Sequence, residues 1–164
     1  MRPATEFDLP QLEALPFSGG LPSKHRDRLL RQLRGQAVYV LAKQEVEIVG
    51  HLLLKWDCPE DRHVRAITAS CAEIEDFVVK PALRGQGIGS AMLDHAAGLC
   101  LARDIANLGL GVGLGNPDAR ALYERRGFAL VPESDHRVTW TARDAQGHEF
   151  VEHDDCVYLV KDLT

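Results

Sequence analysis

The sequence predicts an α/β fold with a mixed, largely antiparallel central sheet that is flanked by about four helices. The chain has 164 residues, of which 45% are apolar, and this is enough for one domain with a buried core. Stretches with strand-like and helix-like hydrophobic periodicity alternate along the chain. No apolar run reaches the ~18–20 residues of a membrane span. We therefore expect a single domain over residues 1–164 and no membrane association.

The predicted strands are apolar stretches, several of them rich in β-branched residues, that are separated by turn residues. The first two long stretches form an antiparallel hairpin, and a second hairpin turns at 144–147. In chain order the predicted strands are 2–5, 37–41, 47–56, 71–80, 106–115, 128–131, 138–141, 149–152 and 156–160.

The N-terminal half also contains two predicted helices. A short helix follows Asp8, and a basic helix over 23–35 directs three leucines inward, Leu29, Leu30 and Leu33. Residues 57–70 are polar, and we predict a loop there.

Two amphipathic helices are predicted in the second half of the chain. The first runs over 88–103, where apolar residues repeat at helical spacing. The second runs over 116–126, because Asn116 is a good N-cap and Pro117 a good first helical residue. Gly127 then stands at the position that ends a helix.

The net charge is concentrated in one late segment. The chain has 19 Lys and Arg against 24 Asp and Glu, a net charge of −5. Residues 132–155 hold two basic and seven acidic side chains and account for all of it. We interpret this acidic extension either as a solvated surface or as a rim that attracts a cationic substrate. A chain without a basic stripe is not expected to bind nucleic acid.

The cysteines and histidines indicate no disulfide or metal site. The four cysteines are scattered without a C-x-x-C pair, and no secretory signal precedes them. We therefore expect reduced thiols, a cytoplasmic location and no bound metal.

A glycine-rich loop lies between a predicted strand and a predicted helix, in the sequence Arg84-Gly85-Gln86-Gly87-Ile88-Gly89-Ser90. Glycines allow the backbone to turn sharply, and the helix N-terminus then presents free N–H groups to an anion. The side chain of Arg84 adds a positive charge with bidentate reach. A phosphate or pyrophosphate is the expected ligand. A Walker A loop and a Rossmann loop both fit poorly, because the first needs Gly-Lys-Ser/Thr and the second G-x-G-x-x-G after the first strand.

Two motifs together resemble the GNAT superfamily of acyl-CoA-dependent N-acetyltransferases. The segment 84–89 is similar to that family's Q/R-x-x-G-x-G/A pyrophosphate loop, and 116–128 is similar to its Asn…Ala-x-x-Leu-Tyr…Gly-Phe segment. The start of the chain and 49–52 resemble the family's first strand and second hairpin arm. The likeness covers about 1–131 and the final strand, so the acidic extension departs from it.

The resemblance implies a binding site for acetyl-CoA. In the family, the strand before the loop bulges away from the next strand, and the pantetheine arm lies in the gap. Backbone groups of Phe77, Val78 and Val79 would contact this arm, and the N–H near Phe77 would polarise the thioester carbonyl. Asn116 would cap its helix and also contact the arm. The pyrophosphate would lie on backbone N–H groups of the loop, those of Gly85, Gln86, Gly87, Ile88, Gly89 and Ser90, with Arg84 nearby.

The resemblance also implies the catalytic groups. Tyr123 matches the family's general acid, which would protonate the departing thiolate. The general base is Glu73, Glu75 or neither of them. Strand alternation predicts that both glutamates share a face with Phe77 and Val79. Glu73 has the offset from the loop that a glutamate base has in some family members, whereas Glu75 is nearer the thioester.

A second glycine window alternates strictly along the predicted strand 106–115. Leucines and a valine line one face, and Gly109, Gly111, Gly113 and Gly115 line the other. Glycine weakens a strand, so this bare face needs a reason. Either a helix packs closely against it, or it leaves room for the acyl group, the pantetheine arm or the substrate.

We expect an enzyme that transfers an acetyl group from acetyl-CoA to a primary amine, by direct attack of the amine. The acceptor would be a small cationic amine or an amine of a peptide or protein, entering beside 17–23 and 132–155. The alternative is a non-catalytic acyl-CoA-binding module, and a Rossmann-type nucleotide binder is a third hypothesis. We expect a monomer or a homodimer.

Overall fold

The computed structural model describes residues 1–164, and its eight strands form one curled, mixed sheet. The strand order is β1-β2-β3-β4-β5-β8-β6, and β7 pairs with β8 outside this path. The strands are β1 (Arg2–Pro3), β2 (Ala37–Gln44), β3 (Glu47–Cys58), β4 (Cys71–Val79), β5 (Asn107–Gly113), β6 (Ala129–Leu130), β7 (His136–Arg143) and β8 (Glu149–Asp162). The predicted mixed, largely antiparallel sheet is confirmed, since only β4 and β5 are parallel.

Five helices flank the sheet: α1 (Leu9–Glu13), α2 (Lys24–Leu33), α3 (Arg62–Ile67), α4 (Ile88–Leu101) and α5 (Pro117–Arg125). The prediction of a loop over 57–70 is wrong, because α3 lies within it. The side chain of Asp61 caps this short helix by accepting the N–H of Val64 at 2.9 Å. None of the helices has the length and hydrophobicity that crossing a lipid bilayer requires.

The two faces of the sheet carry separate cores. The larger core lies beneath α4 and α5 and includes Leu52, Ile74 and Leu110. The smaller core lies beneath α1 and α2 and includes Leu41 and Leu53. The larger core fixes α4 and α5 against the middle of the sheet, where β4 and β5 meet.

The buried face of α2 is polar rather than leucine-rich. Leu29 is buried as predicted, but Leu30 is 43% and Leu33 81% exposed. His25 and Arg28 are buried in their place. Gln32 adds a bond to each of two neighbours, donating to the carbonyl of Ala4 and accepting the N–H of Tyr39. The face that α2 directs inward therefore differs from the one that its leucines predict.

The last strand is longer than predicted. Residues 149–162 form one continuous strand, where we predicted two short ones. Its first half pairs with β7, while its second half lies between β5 and β6. The β7–β8 hairpin therefore extends directly from the strand that pairs with β5.

A bulge at Asp76 changes the alternation of β4. Asp76 has a φ of 47°, and the register passes from Leu53↔Glu75 to His51↔Val78, so β4 has one residue more than β3. An inserted residue reverses the faces of all later side chains. The prediction that Glu73 and Glu75 share a face with Phe77 and Val79 is therefore wrong. Phe77 and Val79 pack on the larger core, and Asp76 lies on the glutamates' face.

Candidate active site

Two clefts meet where β4 and β5 separate. The strands pair only from Ala72↔Leu108 to Ile74↔Leu110 and then diverge. One cleft, of about 740 Å³, runs from the gap to the 84–90 loop, and we call it the loop cleft. The other, of about 590 Å³, opens on the opposite side, and we call it the acidic cleft. Both are lined by the same four residues at their junction, Phe77, Asn116, Ala119 and Tyr123.

The loop cleft ends on a row of free backbone donors. Gly85 and Gly87 have φ values of 75° and 84°, a left-handed conformation that glycine adopts without strain. None of the six N–H groups from Gly85 to Ser90 donates to another protein group. Since α4 begins at Ile88, these donors lie at the positive end of a helix dipole. The arrangement suits a phosphate or pyrophosphate, as the glycine pattern predicts.

Unpaired strand backbone forms the side of the loop cleft. Beyond Ile74, the edge of β4 that faces β5 has no partner strand, and Phe77, Val78 and Val79 lie there. Arg84 is exposed beside them and donates its Nε–H to the carbonyl of Val79 at 3.2 Å. An extended ligand arm could pair with this edge as an added strand would.

Tyr123 lies at the junction of the clefts, on α5. Its side chain is buried between Phe77 and Phe128, with ring centroids 6.3 Å and 6.0 Å away. Its hydroxyl makes no hydrogen bond to the protein. Burial raises the pKa of Tyr123 to about 12, so the phenol keeps its proton near neutral pH.

Asn116 occupies the N-terminus of the same helix. Its side-chain oxygen accepts the N–H of Ala119 at 3.2 Å, which confirms the predicted cap. The side chain also borders both clefts, so its amide NH₂ group is free to contact a ligand.

Lys55 forms ion pairs with the glutamates of the acidic cleft. Its amine lies 2.8 Å from Glu75, 3.4 Å from Glu73 and 3.1 Å from Glu60. Burial disfavours the charged amine, but Glu75 and Glu73 outweigh burial and raise the pKa of Lys55 above its ordinary value. Lys55 is therefore a cation, and both sequence-predicted base candidates are already ion-paired.

A buried polar cluster lies behind the bulge of β4, formed by Lys24, His25, Arg28, His51 and Asp76. The Asp76 carboxylate is 2.5 Å from Arg28 Nη1, 2.9 Å from Lys24 Nζ and 3.8 Å from His51 Nδ1. Burial would raise the pKa of Asp76, but the positive charges of Arg28 and Lys24 outweigh burial and lower it. This carboxylate belongs to the left-handed residue of the bulge, directly before Phe77, which lines both clefts.

Three side chains of the β7–β8 hairpin cover the bare face of β5. A Cβ atom at Gly109 would lie 2.4 Å from the Tyr158 hydroxyl oxygen, and one at Gly111 would lie 3.2 Å from His136 Nε2. A Cβ atom at Gly113 would overlap the Asp154 carboxylate. Thus neither a helix nor an empty space faces these glycines. They make room for the second wall of the acidic cleft.

The strand carries this pattern only as far as Gly113. The leucine and valine face is buried at Leu108, Leu110 and Val112, but Leu114 is 59% exposed. Gly115 has no atom within 4 Å of a Cβ position. The strand ends before these last two residues, so the alternation no longer determines which face they present.

Most of the sequence-predicted site residues border the two clefts. Residues 77–79, the loop glycines Gly85, Gly87 and Gly89, Asn116 and Tyr123 line the loop cleft, and Glu73 and Glu75 line the acidic cleft. Arg84 and Ser90 also line the loop cleft, whereas Ile88 and the exposed Gln86 lie outside both linings. Of the predicted entrance residues 17–23, only Phe17 lines either cleft, on the loop side. Gly20 of that segment approaches the hairpin, with a Cβ position 3.8 Å from the Thr141 carbonyl.

Sequence reasoning missed Lys55, His136 and Tyr158, which the structure adds to the acidic cleft. No motif contains them. The one signal was the glycine alternation, which indicated a bare strand face but not the side chains that cover it.

Comparison with known proteins identifies one family over most of the chain. The model of the acetyltransferase (GNAT) family matches residues 7–128. A Bacillus subtilis protein named "Putative ribosomal protein bS18-alanine N-acetyltransferase" is 36% identical over 57 residues, 35% of this chain. That match spans only 38% of the relative's length.

Solved structures share the fold at low sequence identity. A ribosomal-protein-alanine N-acetyltransferase from Brucella melitensis has a TM-score of 0.69 and 22% identity, with 98% of each chain covered. A GNAT family acetyltransferase from Elizabethkingia anophelis, with acetyl-CoA bound, has a TM-score of 0.59 and 21% identity over 98% of this chain and 95% of that chain.

Proposed function

This chain belongs to the acetyltransferase (GNAT) family, and from that premise we propose that it transfers an acetyl group from acetyl-CoA to a primary amine. The observation that carries the proposal is the meeting of the two clefts at Tyr123, in the gap between β4 and β5. One cleft offers anion-binding backbone and the other offers carboxylates. A donor and an acceptor that enter from opposite sides would meet at this point.

Acetyl-CoA would occupy the loop cleft. The free N–H groups from Gly85 to Ser90 would hold the pyrophosphate, and Arg84 would add positive charge. The unpaired edge at Phe77, Val78 and Val79 would bind the pantetheine arm. The acetyl group would then lie at the gap, where backbone N–H groups of β4 could polarise its carbonyl.

The acceptor would enter through the acidic cleft. Its lining has two basic side chains, Lys55 and Arg137, against six acidic ones: Glu60, Asp61, Glu73, Glu75, Asp76 and Asp154. The excess of carboxylates favours a cationic amine over a neutral or acidic one. The acidic extension that the charge pattern singled out supplies part of this lining.

Tyr123 would act as the general acid. The amine nitrogen attacks the acetyl carbon, a C–N bond forms and the C–S bond breaks. The phenol then gives its proton to the departing thiolate. The raised pKa of about 12 keeps this proton in place until the thiolate develops.

Tyr123→Phe tests this assignment. We expect the rate of acetyl-CoA-dependent thiol release, with saturating amine, to fall by about 100-fold, since general acid catalysis contributes roughly 10²–10⁴. Because the hydroxyl makes no hydrogen bond to the protein, folding should change little. Isothermal titration should give the same acetyl-CoA affinity for both proteins.

Tyr39→Phe is the control for a buried tyrosine outside the gap, whose hydroxyl bonds His25 in the smaller core rather than facing a cleft. Its thiol-release rate should stay within a few-fold of the wild-type rate. An unchanged rate in Tyr123→Phe would remove the acid role. Acetyl-CoA binding without thiol release, for any amine in a broad panel, would instead favour a non-catalytic acyl-CoA-binding module.

A further inference from the structure

The proposed reaction needs a group that takes a proton from the acceptor ammonium. Glu73 and Glu75 face the acidic cleft, but Lys55 pairs with both. A carboxylate held by a cation is a weaker proton acceptor than a free one. A base with an unshared lone pair in the same cleft would serve better.

His136, the first residue of β7, has such a lone pair. Its Nδ1 lies 2.9 Å from the carbonyl oxygen of Ser134. A carbonyl oxygen can only accept, so Nδ1 carries the hydrogen and Nε2 carries the lone pair. Nε2 lies over Gly111 and makes no hydrogen bond within the protein.

The hydrogen bond that fixes this tautomer is itself held rigidly. Ser134 is 1% exposed, and its hydroxyl donates to the carbonyl of Val131 at 2.6 Å. The same hydroxyl accepts the N–H of Tyr158 at 2.9 Å. The ring of Tyr158 also packs edge-on against the imidazole, with centroids 6.1 Å apart. These contacts preorganise His136 before any substrate binds.

An unpaired carboxylate lies beside the imidazole. Asp154 covers Gly113, two residues along β5 from Gly111, a separation of about 7 Å at the usual rise of a strand. Among the six acidic side chains of the cleft, it is the one whose carboxylate contacts neither a basic side chain nor a hydrogen-bond donor. It can therefore bind the incoming ammonium and present it to His136.

The groups around His136 come from four strands. Asp154 and Tyr158 face it from β8, and Gly111 on β5 contributes only backbone. Across the cleft, Lys55 of β3 is ion-paired with both Glu73 and Glu75 of β4, a group with one carboxylate in excess.

We propose that His136 is the general base of the acetyl transfer. This inference rests on the proposed function. Nε2 takes one proton from the acceptor ammonium and the imidazole becomes imidazolium. The freed amine attacks the acetyl carbon, the C–S bond breaks, and the thiolate takes its proton from Tyr123. After the attack the nitrogen still carries one proton more than the amide does. It loses this proton through solvent to the Tyr123 phenolate, which restores the phenol, and the imidazolium releases its proton to water.

The histidine tautomer can be tested without any acceptor. In ¹⁵N-labelled protein above pH 8, long-range proton–nitrogen spectra distinguish a protonated Nδ1 from a protonated Nε2, and the His136→Asn variant assigns the signal. We expect the Nδ1–H form, the minor form of free histidine. An Nε2–H form would overturn the proposal, because no lone pair would then face the cleft.

The catalytic role is tested with two variants and one control. His136→Asn keeps a donor for the Ser134 carbonyl but has no basic nitrogen, so its fold should be retained. With a diamine, an arylethylamine and a short peptide with a free N-terminus as acceptor probes, we expect kcat/KM to fall at least 100-fold. The variant should also lose the rise of kcat/KM with pH, and free imidazole should partly restore the rate in His136→Gly. His148→Asn, the control, changes an exposed histidine outside both clefts and should keep the rate and its rise with pH.

Two results would overturn the proposal. One is a His136→Asn enzyme with the wild-type pH profile and a rate within threefold. The other is the loss of the pH-dependent limb in Glu73→Gln or Glu75→Gln instead. If wild-type protein acetylates none of the three probes but binds acetyl-CoA, the proposed function fails. The tautomer experiment needs no acceptor, so its result is independent of that failure.

Discussion

Two histidines of the buried polar cluster, His25 and His51, are held without a charge. They are 2% and 0% exposed. His25 Nδ1 lies 2.7 Å from the Tyr39 hydroxyl, and His51 Nε2 lies 2.9 Å from the Ser18 hydroxyl. Burial, together with the charges of Lys24 and Arg28, lowers the pKa of His25 to about 4 and that of His51 to about 3.

These depressed pKa values predict how stability depends on pH. In the unfolded chain both histidines take up protons as the pH falls below about 6.5, whereas the folded chain resists until about 4 or below. The free energy of unfolding should therefore be at its full value above pH 6.5 and should fall with decreasing pH. Each histidine contributes up to about 1.4 kcal/mol per pH unit to the slope of the free energy of unfolding against pH. Urea denaturation between pH 4 and 7.5 measures this slope.

His51→Gln should make this slope shallower, because one of the two histidines is removed. His148→Gln is the control, since the side chain of His148 is 80% exposed in the β7–β8 turn. A slope in His51→Gln equal to that of the wild type would refute the assignment.

Asp154 is a second residue whose role can be isolated. Removing its charge with Asp154→Asn should raise KM for a cationic amine about tenfold, or ~1.4 kcal/mol, and change kcat little. This loss of affinity for the amine is expected because no basic side chain of the protein pairs with the Asp154 carboxylate, which leaves it available to the ammonium. Steady-state kinetics with a diamine measures both constants.

Asp155→Asn is the matched control for Asp154. It makes the same change in net charge at the neighbouring position, but Asp155 lies outside the cleft lining and is paired with Arg137. Equal KM increases in both variants would show a general effect of charge rather than a contact with the ammonium.

At the scale of elements, the glycines of β5 are as important for packing as its apolar side chains, because they leave room for side chains of the β7–β8 hairpin. Tyr158 is 1% exposed, with its ring over Gly109 and its hydroxyl 3.5 Å from the Cys71 thiol. Since the ring has no room to move, a methyl group at Gly109 has to displace it.

Gly109→Ala should therefore destabilise the protein by about 1–3 kcal/mol, the usual cost of overpacking a core. Gly98→Ala is the control, because Gly98 lies within α4 with no atom within 4 Å of a Cβ position. It should stabilise the helix by up to about 1 kcal/mol. Urea midpoints with unchanged m-values measure both effects. A neutral Gly109→Ala would mean that Tyr158 can leave its place above the strand.

Elements with strong local signals could be predicted from the sequence. Helix α5 begins beside Asn116 and ends before Gly127, and α4 has a long apolar repeat. Helix α3 has only six residues, too few for a periodic pattern. The bulge at Asp76 and the polar face of α2 depend on contacts between distant segments, and local sequence does not encode those contacts.

The candidate active site likewise has one part with a local sequence signal and one part that depends on contacts between distant segments. The loop cleft could be predicted because its ligand-facing groups are backbone atoms whose exposure depends on glycines and helix ends. The wall formed by His136, Asp154 and Tyr158 could not be predicted, since it depends on the register of β8 against β5. Strand register between distant segments is a tertiary property.

At the scale of the whole molecule, the two clefts come from different parts of the chain. Every residue that lines the loop cleft lies within 17–125, inside the segment matched by the family model. The second wall of the acidic cleft lies within 136–158, outside that segment. The proposed donor site and much of the proposed acceptor site are thus separate along the sequence.

The continuous β7–β8 hairpin has a practical consequence for engineering. Because it contributes to the acidic cleft and to no part of the loop cleft, it can be diversified as one cassette in a directed-evolution library. Positions 138, 140 and 154 project from its cleft-facing side. Selection at these positions would sample new acceptors on a scaffold whose donor machinery stays untouched.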